Sequence, residues 1–331
     1  MTRRERVLAA LAGAPVDRVP VSLWLHNFAA ENSAEALAGE TLRLARRFGW
    51  DFLKPQCRAQ CFAEAWGLSY APSTERATPY TVTRAPLAGA ADLRRLAPAD
   101  PRAGALGEQL HALRLVRAGA GPDTPIVWTV FSPLMVLPYL LAGGREQALA
   151  LMRSAPAAVD HALAAMAETL AAYGAAAVEA GADGLFYATN MATREVATPE
   201  GCRRFQRPHD LRVLGAVAGA PLNLLHVCGE DVLFDEFADY PTTAFSWATA
   251  PGNPALAEGH RRTGRAVAGG LPGKPAIGGM APVEVQTRGR RAVAEMGGRF
   301  LLLAPDCSIN PDTPEAVMDA AAAAVRGPAC G

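Results

Sequence analysis

Histidine and cysteine side chains in two separate segments of this chain could bind a metal ion together. His226 and Cys228 stand two residues apart in an apolar stretch that reads LLHVCG, and Cys307 follows the apolar run LLLAP. Side chains two apart on a β-strand point to the same face, so the first pair would project together. Imidazole and thiolate are ligands that Zn²⁺ prefers. On residue types alone, a role as ordinary core residues remains an open alternative.

The elements that would position these residues alternate in type along the chain. Short apolar runs rich in β-formers are separated by longer alanine- and leucine-rich stretches, which predicts an α/β fold made of a single (β/α)8 TIM barrel. Active sites of such barrels lie at the C-terminal strand ends, so the ends of strands five and eight would open on the same mouth. The predicted strands are 19–25, 51–56, 125–131, 183–189, 222–228, 244–248, 266–271 and 299–305.

Between most of these strands the sequence predicts helices, and it does not divide into two domains. We expect one domain over residues 1–331, with a small excursion after strand two, because residues 62–91 do not fit a plain β-α unit. A doubly wound sheet is disfavoured, since no G-x-G-x-x-G follows the first strand. The predicted helices are 2–12, 34–48, 101–118, 145–180, 199–218, 231–238, 253–263, 282–296 and 314–325.

Composition narrows the class of partner. The chain has 331 residues, half of them hydrophobic, and its 32 basic and 32 acidic residues cancel. This balance favours neither nucleic acid nor an anionic membrane as a partner. Neither a membrane span nor a secretory segment is evident, so we expect a cytoplasmic protein whose cysteines stay reduced. Lysine occurs only at Lys54 and Lys274, which we interpret as compositional bias towards arginine.

Further candidate site residues lie at or just after predicted strand ends. His26 ends strand one and is a candidate acid/base group. Glu64, Tyr187, Asn190 and Trp247 follow or end strands two, four and six, and we predict substrate contacts for them. Each also has a simpler interpretation as a hydrogen-bonded histidine, a solvated glutamate, a turn residue or a core aromatic.

The whole chain resembles the uroporphyrinogen decarboxylase superfamily, and within it the zinc methyltransferases that move a methyl group from a methylated corrinoid to coenzyme M. The resemblance is carried by the segments RRERVLAAL, DRVPV, HVCG, NPALAE and AVAGG, and by Cys307 followed by PDTP. It implies a (β/α)8 barrel with zinc held by His226, Cys228 and Cys307. All three of these positions are filled in this chain.

Departures from the decarboxylase pattern help to decide which activity of the superfamily this chain has. Residues 23–28 contain no arginine, where decarboxylases carry an arginine-rich loop, and Cys307 stands where they have histidine. Their second-strand aspartate has no clear counterpart near residues 57–67. Tyr139 does match the decarboxylase tyrosine and is therefore a candidate catalytic residue. One retained residue against three losses makes decarboxylation the less favoured activity.

We therefore predict a zinc-dependent methyltransferase that transfers a methyl or alkyl group from a corrinoid or similar carrier to a zinc-bound small thiol. A separate corrinoid protein would serve as donor, because no cobalamin-binding domain is evident. One alternative is a decarboxylase of the same superfamily, and a second is a non-catalytic metal- or ligand-binding barrel. The sequence leaves open which thiol is the acceptor, and whether a fourth protein ligand closes the zinc site.

Overall fold

The strands form a small hairpin and a large parallel sheet. A computed structural model describes residues 1–326 of the chain. β1 (Ser69–Ala71) and β2 (Thr81–Arg84) pair antiparallel, while the other six strands pair in parallel and in chain order. These six are β3 (Val127–Phe131), β4 (Gly184–Thr189), β5 (Leu224–Val227), β6 (Ala244–Trp247), β7 (Ala266–Leu271) and β8 (Leu301–Pro305).

Two short segments near the N-terminus link β8 back to β3. Val21 bridges to Leu303 of β8, and Leu53 bridges to Ile126 just before β3. The backbone N–H of Asp51 donates to Val21 O at 2.9 Å, which joins the two segments. The predicted TIM barrel is thus confirmed, although the first two predicted strands contribute isolated bridges rather than full ladders.

A buried ion cluster supports these two thin segments. Asp51 is fully buried and accepts hydrogen bonds from Arg6 at 2.8 Å, from Arg18, and from the backbone N–H of Val21 at 2.9 Å. Hydrogen bonds to charged groups are stronger than neutral ones. The carboxylate therefore holds both segments where a longer ladder is missing.

Helices surround the sheet, and most of them match the predicted spans to within a few residues. The predicted helix 231–238 is only a short 3₁₀ helix at Phe234–Phe237. Three further differences stand out. The predicted helix 145–180 is interrupted before Pro156, the predicted helix 199–218 contains a π-helical turn at Cys202–Gln206, and the helix that begins at Pro133 was missed. The α-helices are α1 (Arg3–Leu11), α2 (Ala34–Phe48), α3 (Cys61–Glu64), α4 (Ala90–Leu93), α5 (Gly104–Ala120), α6 (Pro133–Leu140), α7 (Gly144–Ser154), α8 (Pro156–Glu179), α9 (Pro199–Gly201), α10 (Arg207–Gly215), α11 (Leu256–Thr263), α12 (Pro282–Glu295) and α13 (Glu315–Ala323).

Alternation along the strands divides the apolar residues into two cores. Phe52, Val127, Phe186 and Leu224 belong to one cluster that fills the barrel interior. Their chain neighbours pack outwards against the helices in a larger cluster. No helix among residues 1–326 is long and apolar enough to span a membrane.

The segment after strand two forms the expected excursion. It contains the β1–β2 hairpin, and Leu87 bridges to Leu141 at the end of α6. Tyr80 donates its hydroxyl to Phe28 O at 2.7 Å, which ties the hairpin to the loop after Val21.

An isolated acidic group lies in the outer core. Asp210 of α10 is fully buried and accepts hydrogen bonds from the hydroxyls of Tyr187 at 2.5 Å and Tyr240 at 3.2 Å. Burial raises the pKa of Asp210 to about 7, because charge is costly away from water. Folding therefore favours the protonated carboxyl.

We predict that Asp210→Asn removes a pH-dependent part of the folding stability. The folded pKa lies above the unfolded value of 3.8, so the wild-type carboxyl costs stability progressively as pH rises through the interval up to about 7. A shift of about three pKa units corresponds to at most about 4 kcal/mol in the free energy of unfolding. Urea unfolding measured across this pH interval should show that the variant loses less stability with rising pH than the wild type does. Parallel curves for variant and wild type would contradict the prediction.

Candidate metal centre

Three side chains converge at the C-terminal mouth of the barrel. His226 lies on β5, Cys228 follows it directly, and Cys307 comes two residues after the end of β8. One ligand atom from each residue lies within 4.8 Å of the other two, and the two Sγ atoms are 3.8 Å apart. The structure therefore brings together the three predicted ligands, which form a group that could hold a metal ion. We refer to His226, Cys228 and Cys307 as the metal group.

The loop after β5 keeps this arrangement in place. Gly229 follows Cys228 with φ at 124°, and a Cβ there would lie 2.5 Å from the Thr193 methyl group. Asn253 donates to Gly229 O at 2.9 Å and to Ala248 O at 2.8 Å, which joins the loops after β5 and β6. Glycine is thus required at this turn by both backbone angle and space.

The spacing of the sulfur atoms fits one metal ion. Two thiolates on a single tetrahedral zinc, each bonded at about 2.3 Å, are separated by about 3.8 Å. The hydrogen bond between the two sulfurs lowers the pKa of Cys307 to about 3 and raises the pKa of Cys228 well above its usual value. Together with the imidazole of His226, these two sulfur atoms form a donor set suited to a soft cation.

Two neighbours orient the imidazole of His226. Its Nδ1 lies 3.1 Å from the hydroxyl of Ser246 on β6, and the ring of Phe186 stacks on it at 5.3 Å between centroids. Because Nδ1 is occupied by Ser246, Nε2 is the atom left for a metal. Partners of this kind fix the tautomer and direction of a ligating histidine.

A chain of hydrogen bonds runs from the predicted acid/base residue His26 to a buried lysine. His26 Nδ1 donates to Glu31 at 2.8 Å, Gln56 Nε2 donates to His26 Nε2 at 2.7 Å, and Lys54 Nζ donates to Gln56 Oε1. Lys54 Nζ also lies 4.5 Å from the centre of the Phe186 ring. Both nitrogens of His26 are therefore engaged, so its structural role is to orient Gln56 and Lys54.

Tyr139 and Asn190 line one pocket at the mouth. They border a cavity of about 360 Å³ together with Val82 of the hairpin, Met135 of α6 and Arg145 of α7. Burial raises the pKa of Tyr139, so its hydroxyl stays protonated. These two predicted site residues therefore lie together, beside the missed helix α6.

The other three predicted substrate contacts lie elsewhere. Tyr187 and Trp247 point outwards from their strands, where Tyr187 donates to Asp210 and Trp247 donates to Pro254 O at 2.8 Å. Glu64 accepts hydrogen bonds from Arg58 at 3.0 Å and from Tyr70. Geometry does not support substrate binding by these three, because Tyr187 and Trp247 point outwards and the Glu64 carboxylate is engaged by Arg58 and Tyr70.

Cys57 and Cys61 form a buried pair outside the metal group. Cys61 donates to Cys57, which lowers the pKa of Cys57, whereas burial raises the pKa of Cys61. Both are buried free thiols of the larger, outer cluster.

Sequence reasoning overlooked several polar residues at this mouth. Lys54, Gln56 and Ser246 lie on barrel segments, and Lys274 lies in the loop after β7. Every second residue of a barrel strand points inwards, so alternation along β6 could have indicated that Ser246 points inwards, as His226 does on β5. The scarcity of lysine was the available signal for Lys54 and Lys274, and it was interpreted as bias.

The fold and the site define a TIM barrel with a histidine–cysteine group able to hold a metal at its C-terminal mouth. Residues 2–327 match the family model of uroporphyrinogen decarboxylase (URO-D), and the chain belongs to this family.

Two curated relatives from Methanosarcina barkeri carry the name "Methylcobamide:CoM methyltransferase MtaA". The protein from strain Fusaro / DSM 804 is 27% identical over 333 residues, and the other is 28% identical over 337 residues. Each alignment covers 95% of this chain and 94% of the relative. The similarity therefore extends over nearly the whole length of both partners.

Solved structures support the fold. A methyltransferase from Methanosarcina mazei superposes with a TM-score of 0.81 at 22% identity, covering 98% of both chains. A B12-independent methionine synthase from Shewanella sp. W3-18-1 superposes with a TM-score of 0.55 at 13% identity, covering 92% of this chain and 94% of that one.

We predict that Ser246→Ala weakens metal binding without removing a ligand. Loss of the hydroxyl frees the His226 ring to rotate, and such outer partners are typically worth 10- to 100-fold in affinity, so we expect a drop of about that size. Competition titration with a chromophoric chelator measures it. Ser22→Ala, which removes another buried hydroxyl of the barrel, is the matched control. Equal affinities for wild type and Ser246→Ala would refute the role of Ser246.

Proposed function

We propose that this protein is a zinc-dependent methyltransferase that moves a methyl group from a corrinoid carrier to a small thiol. The observation that carries the proposal is the group of His226, Cys228 and Cys307 at the barrel mouth. Among the described residues this group has three members, so a tetrahedral ion would keep one position for a substrate. The printed names of the two Methanosarcina barkeri relatives support the same reaction class.

The roles of the protein's own residues follow from their positions. His226, Cys228 and Cys307 would hold the metal, and Ser246 would keep the imidazole directed at it. Bound Zn²⁺ deprotonates a thiol and fixes its sulfur at one point. The deprotonated sulfur is the nucleophile that a methyl transfer requires, since a free thiol is mostly protonated at neutral pH.

The donor would approach from the open side of the mouth. Tyr139, Asn190 and Met135 line the cavity beside the metal group, and we propose that this cavity accepts part of the donor or acceptor. We also propose that the donor is a separate corrinoid protein. The metal group and this cavity then form one site for both reactants.

We predict that metal removal abolishes methyl transfer and that added zinc restores it. The purified protein would be tested with methylcobalamin and a small thiol, by following the corrinoid spectrum and the thioether product. Cys307→Ala should lose both bound zinc and activity, because it removes one of three ligands. Cys202→Ala removes a buried thiol of the π-helical turn and should retain both.

Three results would overturn the proposal in different ways. Full activity in the metal-free protein excludes a role for zinc. Carbon dioxide release from a porphyrinogen or smaller acid, without methyl transfer, supports the decarboxylase alternative. Tight metal binding with neither reaction supports a non-catalytic barrel.

A further inference from the structure

A loop between β6 and α11 contacts both cysteine turns of the metal group. We call residues 248–255 the β6 loop, and none of its side chains belongs to the metal group. Its Asn253 contacts the residue that follows Cys228. Its Thr249 contacts the residue that precedes Cys307. A single loop therefore touches the turns after β5 and β8, two strands that are not neighbours in the sheet.

Asn253 holds the first turn through its side-chain amide. Its Nδ2 donates to Gly229 O at 2.9 Å and to Ala248 O at 2.8 Å. Its Oδ1 accepts from the backbone N–H of Val232 at 2.8 Å. Both donors and the acceptor of the amide are thus engaged with backbone atoms of the loops after β5 and β6. An aspartate of the same size would lack both donors and would place a charge opposite two carbonyl oxygens.

Asp306 holds the second turn through its carboxylate. Its Oδ2 accepts from the backbone N–H of Thr249 at 3.1 Å and from the Thr249 hydroxyl at 3.0 Å. The backbone N–H of Asp306 donates to Leu271 O at 2.7 Å. The residue is 8% exposed, and its Oδ1 has no hydrogen-bond partner among residues 1–326. A buried carboxylate oxygen without a partner is costly, so packing alone does not account for an acid here.

The inner and outer sides of the β6 loop differ in what they contact. On the inner side, Gly252 has φ at 83°, and a Cβ there would lie 2.9 Å from the Cβ of Asp231. Only glycine therefore allows the loop to pass this close to the turn after β5. On the outer side, Thr249 and Asn253 border a cavity of about 660 Å³ that reaches α12. The position of the loop therefore depends on its contacts with the two cysteine turns.

We propose that Asn253 and Asp306 are positioning residues that, through the β6 loop, set the separation of the Cys228 and Cys307 sulfur atoms for one metal ion. The two sulfurs are 3.8 Å apart, a separation that fits two thiolates on a single tetrahedral zinc. A site arranged in advance binds its ion more tightly, because the cost of ordering the two turns does not oppose binding. This inference rests on the proposed function, whose metal site it explains.

Variants of the two residues test this role in the purified full-length chain. Asn253→Asp keeps the size but loses both donors, and Asp306→Ala loses the acceptor for Thr249. Each should lower the zinc affinity about 10- to 100-fold in a competition titration with a chromophoric chelator. Asp306→Asn keeps an acceptor oxygen for Thr249, so its affinity should stay within about 3-fold of the wild type. The comparison of the two Asp306 variants separates the hydrogen bond from the charge.

Cobalt(II) in place of zinc gives a readout that a change in stability alone does not move. The sulfur-to-cobalt charge-transfer absorption depends on how many cysteine sulfurs bind the ion. We expect it to be reduced in Asn253→Asp and Asp306→Ala, because the two sulfurs are no longer held at the separation that one ion requires. Asp306→Asn should restore it.

Asn223→Asp is the matched control for a buried asparagine that joins backbone segments. Asn223 accepts from the backbone N–H of Leu185 at 3.0 Å and donates to Val217 O at 2.7 Å. It lies directly before β5, at the end of the strand away from the metal group. The substitution should lower the free energy of unfolding but leave the zinc affinity and the cobalt absorption unchanged. If Asn253→Asp does not fold, the two Asp306 variants carry the test.

Phenylarsine oxide reports the same separation without a metal. Its arsenic bonds two neighbouring thiols and releases its oxygen as water. The wild type should bind it at Cys228 and Cys307, and Cys307→Ala gives the contribution of the other cysteines. Asn253→Asp and Asp306→Ala should bind it about 10-fold more weakly, as expected for the loss of one charge-assisted or paired hydrogen bond.

The outcomes separate this inference from the proposed function. Wild-type zinc affinity and cobalt absorption in both Asn253→Asp and Asp306→Ala would overturn the positioning role even if methyl transfer occurs. An equal loss of zinc affinity in Asn223→Asp would overturn it as well. If the wild type binds no zinc, the proposed function fails. The comparison with phenylarsine oxide then still supports or overturns the positioning role.

Discussion

Contact between the ends of two non-adjacent strands is the constraint on which the site depends. β5 and β8 are separated by β6 and β7 in the sheet, yet the sulfurs of Cys228 and Cys307 lie 3.8 Å apart. Only a sheet that curves round on itself brings such ends together. The bridges at Val21 and Leu53 and the buried Asp51 cluster therefore matter to the metal group, because they complete the curvature.

Inward and outward alternation then decides which polar residues reach the site. Ser246 points into the barrel and contacts His226, whereas its neighbour Trp247 points outwards and donates to Pro254 O. Phe186 and Tyr187 divide in the same way, one stacking on His226 and the other pairing with Asp210. A one-residue step along a strand therefore separates a site residue from a core residue.

The side chains of the site are held in place before any ligand binds. Hydrogen bonds hold His226, Gln56 and Lys54 from several barrel segments, so little side-chain freedom remains to be lost when a ligand binds.

Sequence by itself determined the fold class and the family, and it identified His226, Cys228 and Cys307 as candidate metal ligands, because periodicity and residue chemistry are local properties. It also indicated the excursion, whose hairpin borders the cavity with Tyr139 and Asn190. It did not reveal α6 as a helix, the ion pair that occupies Glu64, or the contacts of Lys54 with Gln56 and Phe186. These depend on which distant segments pack together and on which side of a strand each side chain points. Only the closed barrel, with its alternating faces, decided them.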